Sequence, residues 1–280
     1  MADLFEASNL AEDAPRPLAD RLRPRTLREV TGQDHLVGPQ GTLTRLLSAN
    51  RLPSLILWGP PGCGKTTIAR LLADETALAF EQLSAIFSGV QDLRKAFERA
   101  RARRAEGRGT LLFVDEIHRF NKAQQDSFLP HMEDGTITLI GATTENPSFE
   151  LNAAVLSRAT VLTLQRLDEA ALGALIARAE AATGRALPLD EDACAALLAM
   201  ADGDGRSLLN MIEDVMAGVP EAAADDTSDD KDGSGGSGGP GEALLDRAGL
   251  IGLVQRRAPI YDKSSDGHYN LISALHKAVR

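Results

Sequence analysis

The stretch Leu55-Ile56-Leu57-Trp58-Gly59-Pro60-Pro61-Gly62-Cys63-Gly64-Lys65-Thr66 decides how the rest of this chain is read. Leu55 to Trp58 is a short apolar run of the kind that forms a strand buried in a parallel sheet. It leads into Gly59-x-x-x-x-Gly64-Lys65-Thr66, after which Ile68, Leu71 and Leu72 recur at helical spacing. Strand, glycine loop and helix in that order are the setting a phosphate-binding loop requires. Its glycines let backbone N–H groups curl around phosphate oxygens, and the helix N-terminus adds partial positive charge. The reading is a nucleoside triphosphate held by Gly59, Pro60, Pro61, Gly62, Cys63, Gly64, Lys65, Thr66 and Thr67. Lys65 reaches the β- and γ-phosphates in such a loop, and the Thr66 hydroxyl serves Mg²⁺.

Outward from this loop, further strands follow. Ala79 to Leu83 reads as a second one. Thr110-Leu111-Leu112-Phe113-Val114 is a third, fully buried strand, with Asp115 and Glu116 at its carboxyl end. Ligands of open parallel sheets sit at those ends, so both acids point toward the phosphates. Asp115 is expected to hold the Mg²⁺ shell, and Glu116 to orient and polarise water. Strand four, Ile137 to Ala142, ends in Thr143-Thr144-Glu145-Asn146, polar groups placed to meet the γ-phosphate or the attacking water. Strand five is Thr160 to Leu164. Five strands alternating with helices specify an α/β fold, a P-loop αβα sandwich on a parallel sheet.

Residues 90–105 read as a helix burying Val90, Leu93, Phe97 and Ala100 and carrying Arg94, Lys95, Arg99, Arg101, Arg103 and Arg104. That basic run reads equally as a solvated face or as a phosphate-contacting one. Another helix is expected over 122–133. From Asp168 the pattern becomes helical and alanine-rich. Leu172, Leu175, Ile176 and Ala179 mark one helix; Ala193, Leu197, Leu198 and Met200 a second; Leu208, Leu209, Ile212 and Val215 a third. The organisation expected is a mobile arm over 1–16, an ATPase core over 17–166, a helical lid over 167–218, an acidic Gly/Ser-rich linker over 219–241, and a helical segment over 242–280. Residues 17–33 read as an extended strap rather than a strand or long helix, and further helical patterns cover 242–255 and 268–279.

Composition bounds the function. With 280 residues and 43% hydrophobic content the chain can bury a core. No run approaches the roughly 18 apolar residues of a membrane helix, and the N-terminus has no secretory pattern. Cys63 and Cys194 form neither a disulfide framework nor a zinc spacing, so a cytoplasmic protein is expected. The five histidines, 35, 118, 131, 268 and 276, show no metal-binding spacing, and no metal beyond the nucleotide's Mg²⁺ is expected. The net charge is −10, but residues 1–14 hold four acids and no base, and 219–241 hold six acids and one lysine. The remainder is close to neutral and can present a basic face, so a DNA partner is not excluded.

Together, the P-loop, Asp115-Glu116, Thr143-Thr144, Ser157-Arg158 and the helical lid resemble an AAA+ ATPase. More narrowly, several runs are similar to the family of replication-associated recombination protein A and the Werner-helicase-interacting ATPase. They are Arg23 to Leu27, Gly32 to Leu36, Asp115 to Asp126, Gly141 to Phe149, Tyr261 to Lys263 and His268 to Lys277. The resemblance implies a DNA-dependent ATPase at stalled or damaged replication forks, nucleoid-associated, with fork or single-strand/double-strand junction DNA and replication proteins as partners. A clamp-loader-like subunit, or a nucleotide-switched adaptor with little turnover, are the alternatives. It also implies an arginine finger at Arg158 acting on a neighbouring subunit, sensor 1 at Thr144 or Thr143, and sensor 2 at Arg206. The strap from Leu22 to Val30 resembles the segment packed on the adenine. The family is homo-oligomeric through a C-terminal domain beyond the matched region. This chain is therefore expected to associate weakly or remain monomeric.

Overall fold

The computed structural model describes residues 16–219 and 244–255. The expectations for the N-terminal arm before Arg16, for the linker between 220 and 243, and for the helix at 268–279 lie outside these residues, as do the runs from Tyr261 and His268.

Within them the chain runs α1 (Leu18–Arg21), α2 (Asp34–Val37), α3 (Thr42–Ser48), β1 (Leu55–Trp58), α4 (Lys65–Thr76), β2 (Ala79–Ser84), α5 (Val90–Ala105), β3 (Thr110–Asp115), α6 (Lys122–Asp126), α7 (Leu129–Glu133), β4 (Thr138–Thr143), α8 (Pro147–Glu150), α9 (Ala153–Leu156) and β5 (Thr160–Thr163). There follow α10 (Glu169–Thr183), α11 (Glu191–Ala201), α12 (Gly205–Gly218) and α13 (Arg247–Gln255). The five strands form one parallel sheet in the order β2-β3-β4-β1-β5. The α/β sandwich with its helical region is thus as the sequence predicts.

The two-residue period of the strands sorts the sheet's faces. Leu55, Leu57, Leu111 and Phe113 point into one core with α4 and the segment Leu27 to Leu43. Ile56, Leu112 and Val114 point into the other, against Leu93, Ala96, Phe97 and Ala100 of α5 and Phe128. A third core joins α10, α11 and α12, with Leu250 of α13 fully buried in it. Asp168, Asp190 and Asp204 cap α10, α11 and α12 by accepting from the N–H three residues on, a common way to satisfy an orphan helix donor.

Several local readings change. Val90, the first residue of α5, is 52% exposed, and Ala96 joins Leu93, Phe97 and Ala100 on the buried face. Met200 is 40% exposed; Ala193, Leu197 and Ala201, each four residues apart, make the buried stripe of α11. The helix expected over 122–133 is two, broken at Ser127-Phe128, where Phe128 turns into the core. The strap is not simply extended: it contains α1 and a 3₁₀ turn over Leu27–Glu29. It is also divided between two cores, with Leu18 and Leu22 among the lid helices and Leu27 and Val30 on the sandwich.

Candidate active site

Because all five strands are parallel, their carboxyl ends share one edge. The register aligns Trp58 with Thr143 and Thr163, and Ser84 with Asp115. The glycine loop, both acids and both threonines therefore converge from β1, β3 and β4.

Gly62 and Gly64 have φ of 66° and 101°, conformations that cost an L-residue energy and glycine little. Lys65 is buried at the first position of α4, and its ammonium donates to the carbonyls of Gly59 and Pro60, both at 2.8 Å. Two of its three N–H donors thus brace the loop. Burial pushes the Cys63 thiol up despite nearby Lys65, so it packs as an apolar group.

A cleft of about 440 Å³ opens here, within the usual range for small-molecule sites. Residues 61–67, Asp115, Glu116 and Arg206 form its polar part. Leu22, Pro24 and Val30 of the strap, with Leu175 and Leu209 of the helical region, form an apolar wall. Gly59 and Pro60 do not line it; they act on it by holding Lys65. Thr66 and Asp115 line the same cleft and offer hard oxygen donors of the kind Mg²⁺ takes, alongside phosphate oxygens and water. Among the described residues no group of three or more His, Cys, Asp or Glu is placed to hold a metal ion.

Glu116 has the left-handed backbone φ 51°, ψ 45°, a conformation uncommon outside glycine, with strain of this kind concentrated at functional sites. Its Oε2 lies 3.5 Å from Thr144 Oγ1 and 3.3 Å from His118 Nδ1. Thr143 is fully buried, and its hydroxyl meets His118 Nδ1 at 2.9 Å and the backbone N–H of Glu145 at 3.0 Å. Of the two threonines, Thr144 is the half-buried one beside Glu116, whereas Thr143 is enclosed.

Arg206 reaches the cleft because Asp204 caps α12 directly against the loop: a Cβ on Gly62 would come 1.8 Å from Asp204 Oδ1. Arg158 does not line the cleft. It binds Glu133, the Ala154 carbonyl and Ser157 at the start of the turn into β5. The segment that carries it is clamped by Gln125, which is 2% exposed. The Gln125 amide donates to the carbonyls of Phe120 and Glu150 and accepts from the N–H of Asn152.

The basic helix α5 divides in two. Arg99 and Arg103 converge on buried Glu81, and Arg104 meets Asp134 and Thr136. Burial raises the pKa of Glu81, but the bonds and charges of the two arginines outweigh it and hold the carboxyl below its ordinary value. Arg94, Lys95 and Arg101 are exposed and form no ion pair among the described residues. A phosphate-contacting face therefore narrows to these three.

Asp204, Gln33 and His118 escape sequence reasoning. Asp204, before Gly205 and three residues ahead of Ser207, carries a legible capping signal. Gln33 is fully buried and pairs with both backbone groups of Gln165, joining the strap to the chain that leaves the sheet. Gln33 carries no local signal, since its partner is distant in sequence, and His118, though only two residues from Glu116, is oriented by Thr143, 25 residues on.

Residues 55–167 match the family described as ATPase family associated with various cellular activities (AAA), and residues 183–280 match the AAA C-terminal domain. Replication-associated recombination protein A of Escherichia coli K12 is 45% identical over 277 residues, covering 97% of this chain and 58% of that protein. ATPase WRNIP1 of Dictyostelium discoideum is 42% identical, covering 98% of this chain and 32% of its own. The chain thus spans little more than half the length of the bacterial relative and a third of the other. Among solved structures, the Thermotoga maritima RuvB Holliday junction branch migration motor is 27% identical with a TM-score of 0.56, over 69% of this chain and 64% of that one. A RuvB R170A variant, 24% identical with a TM-score of 0.62 over 84% of this chain and 72% of its own, shares the fold. Residues 55–167 are thus a P-loop ATPase domain of the AAA family, followed by an AAA C-terminal domain, and nearly the whole chain is similar to the relatives named replication-associated recombination protein A and ATPase WRNIP1.

Proposed function

We propose that this chain binds and hydrolyses ATP to drive a DNA-dependent step of replication-associated recombination and repair at stalled or damaged forks. The observation that carries the chemistry is the single cleft into which the glycine loop, Asp115, Glu116 and Arg206 all open, with Thr144 beside Glu116. The replication and recombination role is supported by the names of its relatives.

In this reading the apolar wall of strap and lid takes the base, and the loop's backbone N–H groups take the phosphates. Lys65 neutralises phosphate charge through its third N–H or by releasing a carbonyl. Thr66 and Asp115 would hold Mg²⁺, which would supply positive charge to the triphosphate. Glu116 orients and polarises the water, and the Thr144 hydroxyl and Arg206 stabilise the charge that develops. Arg158, turned away from its own cleft, acts on the site of a neighbouring copy, a contribution of about 10³–10⁵ in rate for such residues.

Glu116→Gln tests the chemistry. ATP binding should persist while hydrolysis falls about 10²–10⁴-fold, the span of general-base contributions; turnover at the parent rate would refute the assignment. Lys65→Ala should lose binding as well. Mixing Glu116→Gln with Arg158→Ala should restore part of the rate, since one supplies the finger and the other the intact base. Equal ATPase rates with no DNA, duplex and forked DNA would reject the DNA-dependent reading.

A further inference from the structure

We propose that His118 is the positioning residue of Glu116, attracting its carboxylate across 3.3 Å with the N–H edge of an imidazole whose tautomer is set by Thr143. This rests on the reading of Glu116 as the water-orienting carboxylate.

The proton count around Thr143 carries it. Its hydroxyl has three neighbours: the Glu145 N–H at 3.0 Å, the Glu145 carbonyl at 3.2 Å and His118 Nδ1 at 2.9 Å. A threonine hydroxyl has one hydrogen to give and two lone pairs to accept with. If the hydrogen goes to the Glu145 carbonyl, the lone pairs accept from Glu145 N–H and from His118 Nδ1–H, and every group is satisfied. If it goes to His118 instead, Nδ1 presents a lone pair to a carboxylate oxygen 3.3 Å away, which is repulsive. The His118 side chain is 6% exposed, so water does little to screen that repulsion. The arrangement selects the imidazole with its proton on Nδ1, bonded to Thr143, which sets the positive N–H edge of the ring 3.3 Å from the Glu116 carboxylate.

This contact matters because a glutamate side chain is long and its ordering is entropically costly. His118 and Thr144 both approach Oε2. One oxygen is thereby held, and Oε1 is the one a water can donate to. The anchor also reaches the phosphate loop, since the Thr143 carbonyl accepts from the N–H of Gly59 at 3.1 Å. Loop, Thr143, His118 and Glu116 are joined in series.

The test uses His118→Ala, His118→Asn and His118→Gln in the full chain, with kcat, KM and ATP affinity measured for each. An asparagine amide nitrogen falls near the place of Nδ1, a glutamine nitrogen near Nε2. Alanine and glutamine should lower kcat by about 10–100-fold, the scale of an ångström's misplacement of a reacting group, with KM and ATP affinity little changed. Asparagine should retain most of the rate. Parent kcat in His118→Ala, rescue by glutamine as good as by asparagine, or ATP affinity falling in step with kcat would overturn the proposal. Thr143→Val keeps the side-chain shape and removes the hydroxyl, so it decides the matter should the His118 variants fail to fold: the same fall in kcat is expected, and an unchanged kcat refutes it. Glu116→Gln is run beside them. If it is inert while His118→Ala is normal, this proposal fails alone; if it turns over at the parent rate, the underlying reading fails and takes this one with it.

Discussion

Gly62→Ala tests the contact between the phosphate loop and the helical lid. The native φ of 66° would force alanine into the left-handed region, at roughly 1–2 kcal/mol. The new methyl would also stand 1.8 Å from Asp204 Oδ1 and 2.3 Å from its Cγ. Asp204 cannot withdraw freely, because the same Oδ1 accepts from the Ser207 N–H at 2.9 Å and caps α12. Losing that cap costs about 0.5–2 kcal/mol. The expected loss of stability is therefore about 1.5–4 kcal/mol by adding the two effects. Nucleotide affinity should fall with it, since Arg206 moves with α12. Urea unfolding followed by circular dichroism, together with ATP titration, measures both. The double variant Gly62→Ala/Asp204→Ala sharpens the test, because the cap can be lost only once. Its destabilisation should fall short of the sum of the singles by roughly 1 kcal/mol, one cap. Additivity within about 0.5 kcal/mol, as for sites that do not interact, would refute the argument.

Replacing Arg94, Lys95 and Arg101 with alanine should weaken DNA binding across sequences and flatten the slope of log affinity against log salt. Replacing Arg99 and Arg103 should instead lower the melting temperature, because Glu81 is left buried without its partners. His131 is stacked on Phe97 and its Nδ1 has no hydrogen-bond partner; burial, and then Arg101, hold its pKa below the ordinary 6.5. The unfolded chain then binds the proton first, so stability is full above pH 6.5 and declines as pH falls toward the lowered folded value. His131→Phe should flatten the melting-temperature profile in that window, and an unchanged profile would assign the slope elsewhere. Gln125→Leu leaves the buried Phe120 carbonyl and the part-buried Glu150 carbonyl and Asn152 N–H without their partner and should cost roughly 1–3 kcal/mol in urea unfolding. It should also depress ATPase activity through Arg158, which restoring the amide with Gln125→Asn would not repair, the side chain being one carbon short.

Much of this molecule is decided locally. The five strands, the loop from Gly59 to Thr66 and the carboxylates at the end of β3 are read from short apolar runs and their flanks, because a buried parallel strand needs continuous apolar residues and a phosphate loop needs glycine at set spacing. Helix α5 is read to its ends for the same reason. What only the tertiary structure decides is which polar groups meet. The basic run of α5 is one pattern in sequence, yet Glu81 and Asp134 take three of its cations, and nothing local distinguishes them from the three left exposed. Thr143 and Thr144 are equivalent on paper; the pleat of β4 encloses one and sets the other beside Glu116. His118 and Gln33 are set by hydrogen-bond partners 25 and 132 residues away, and Asp204 lies against a glycine 142 residues earlier. Hydrophobic periodicity is a property of neighbouring residues, and it survives in the sequence. A hydrogen bond between distant segments depends on sheet order, register and helix docking, and those exist only once the chain has folded.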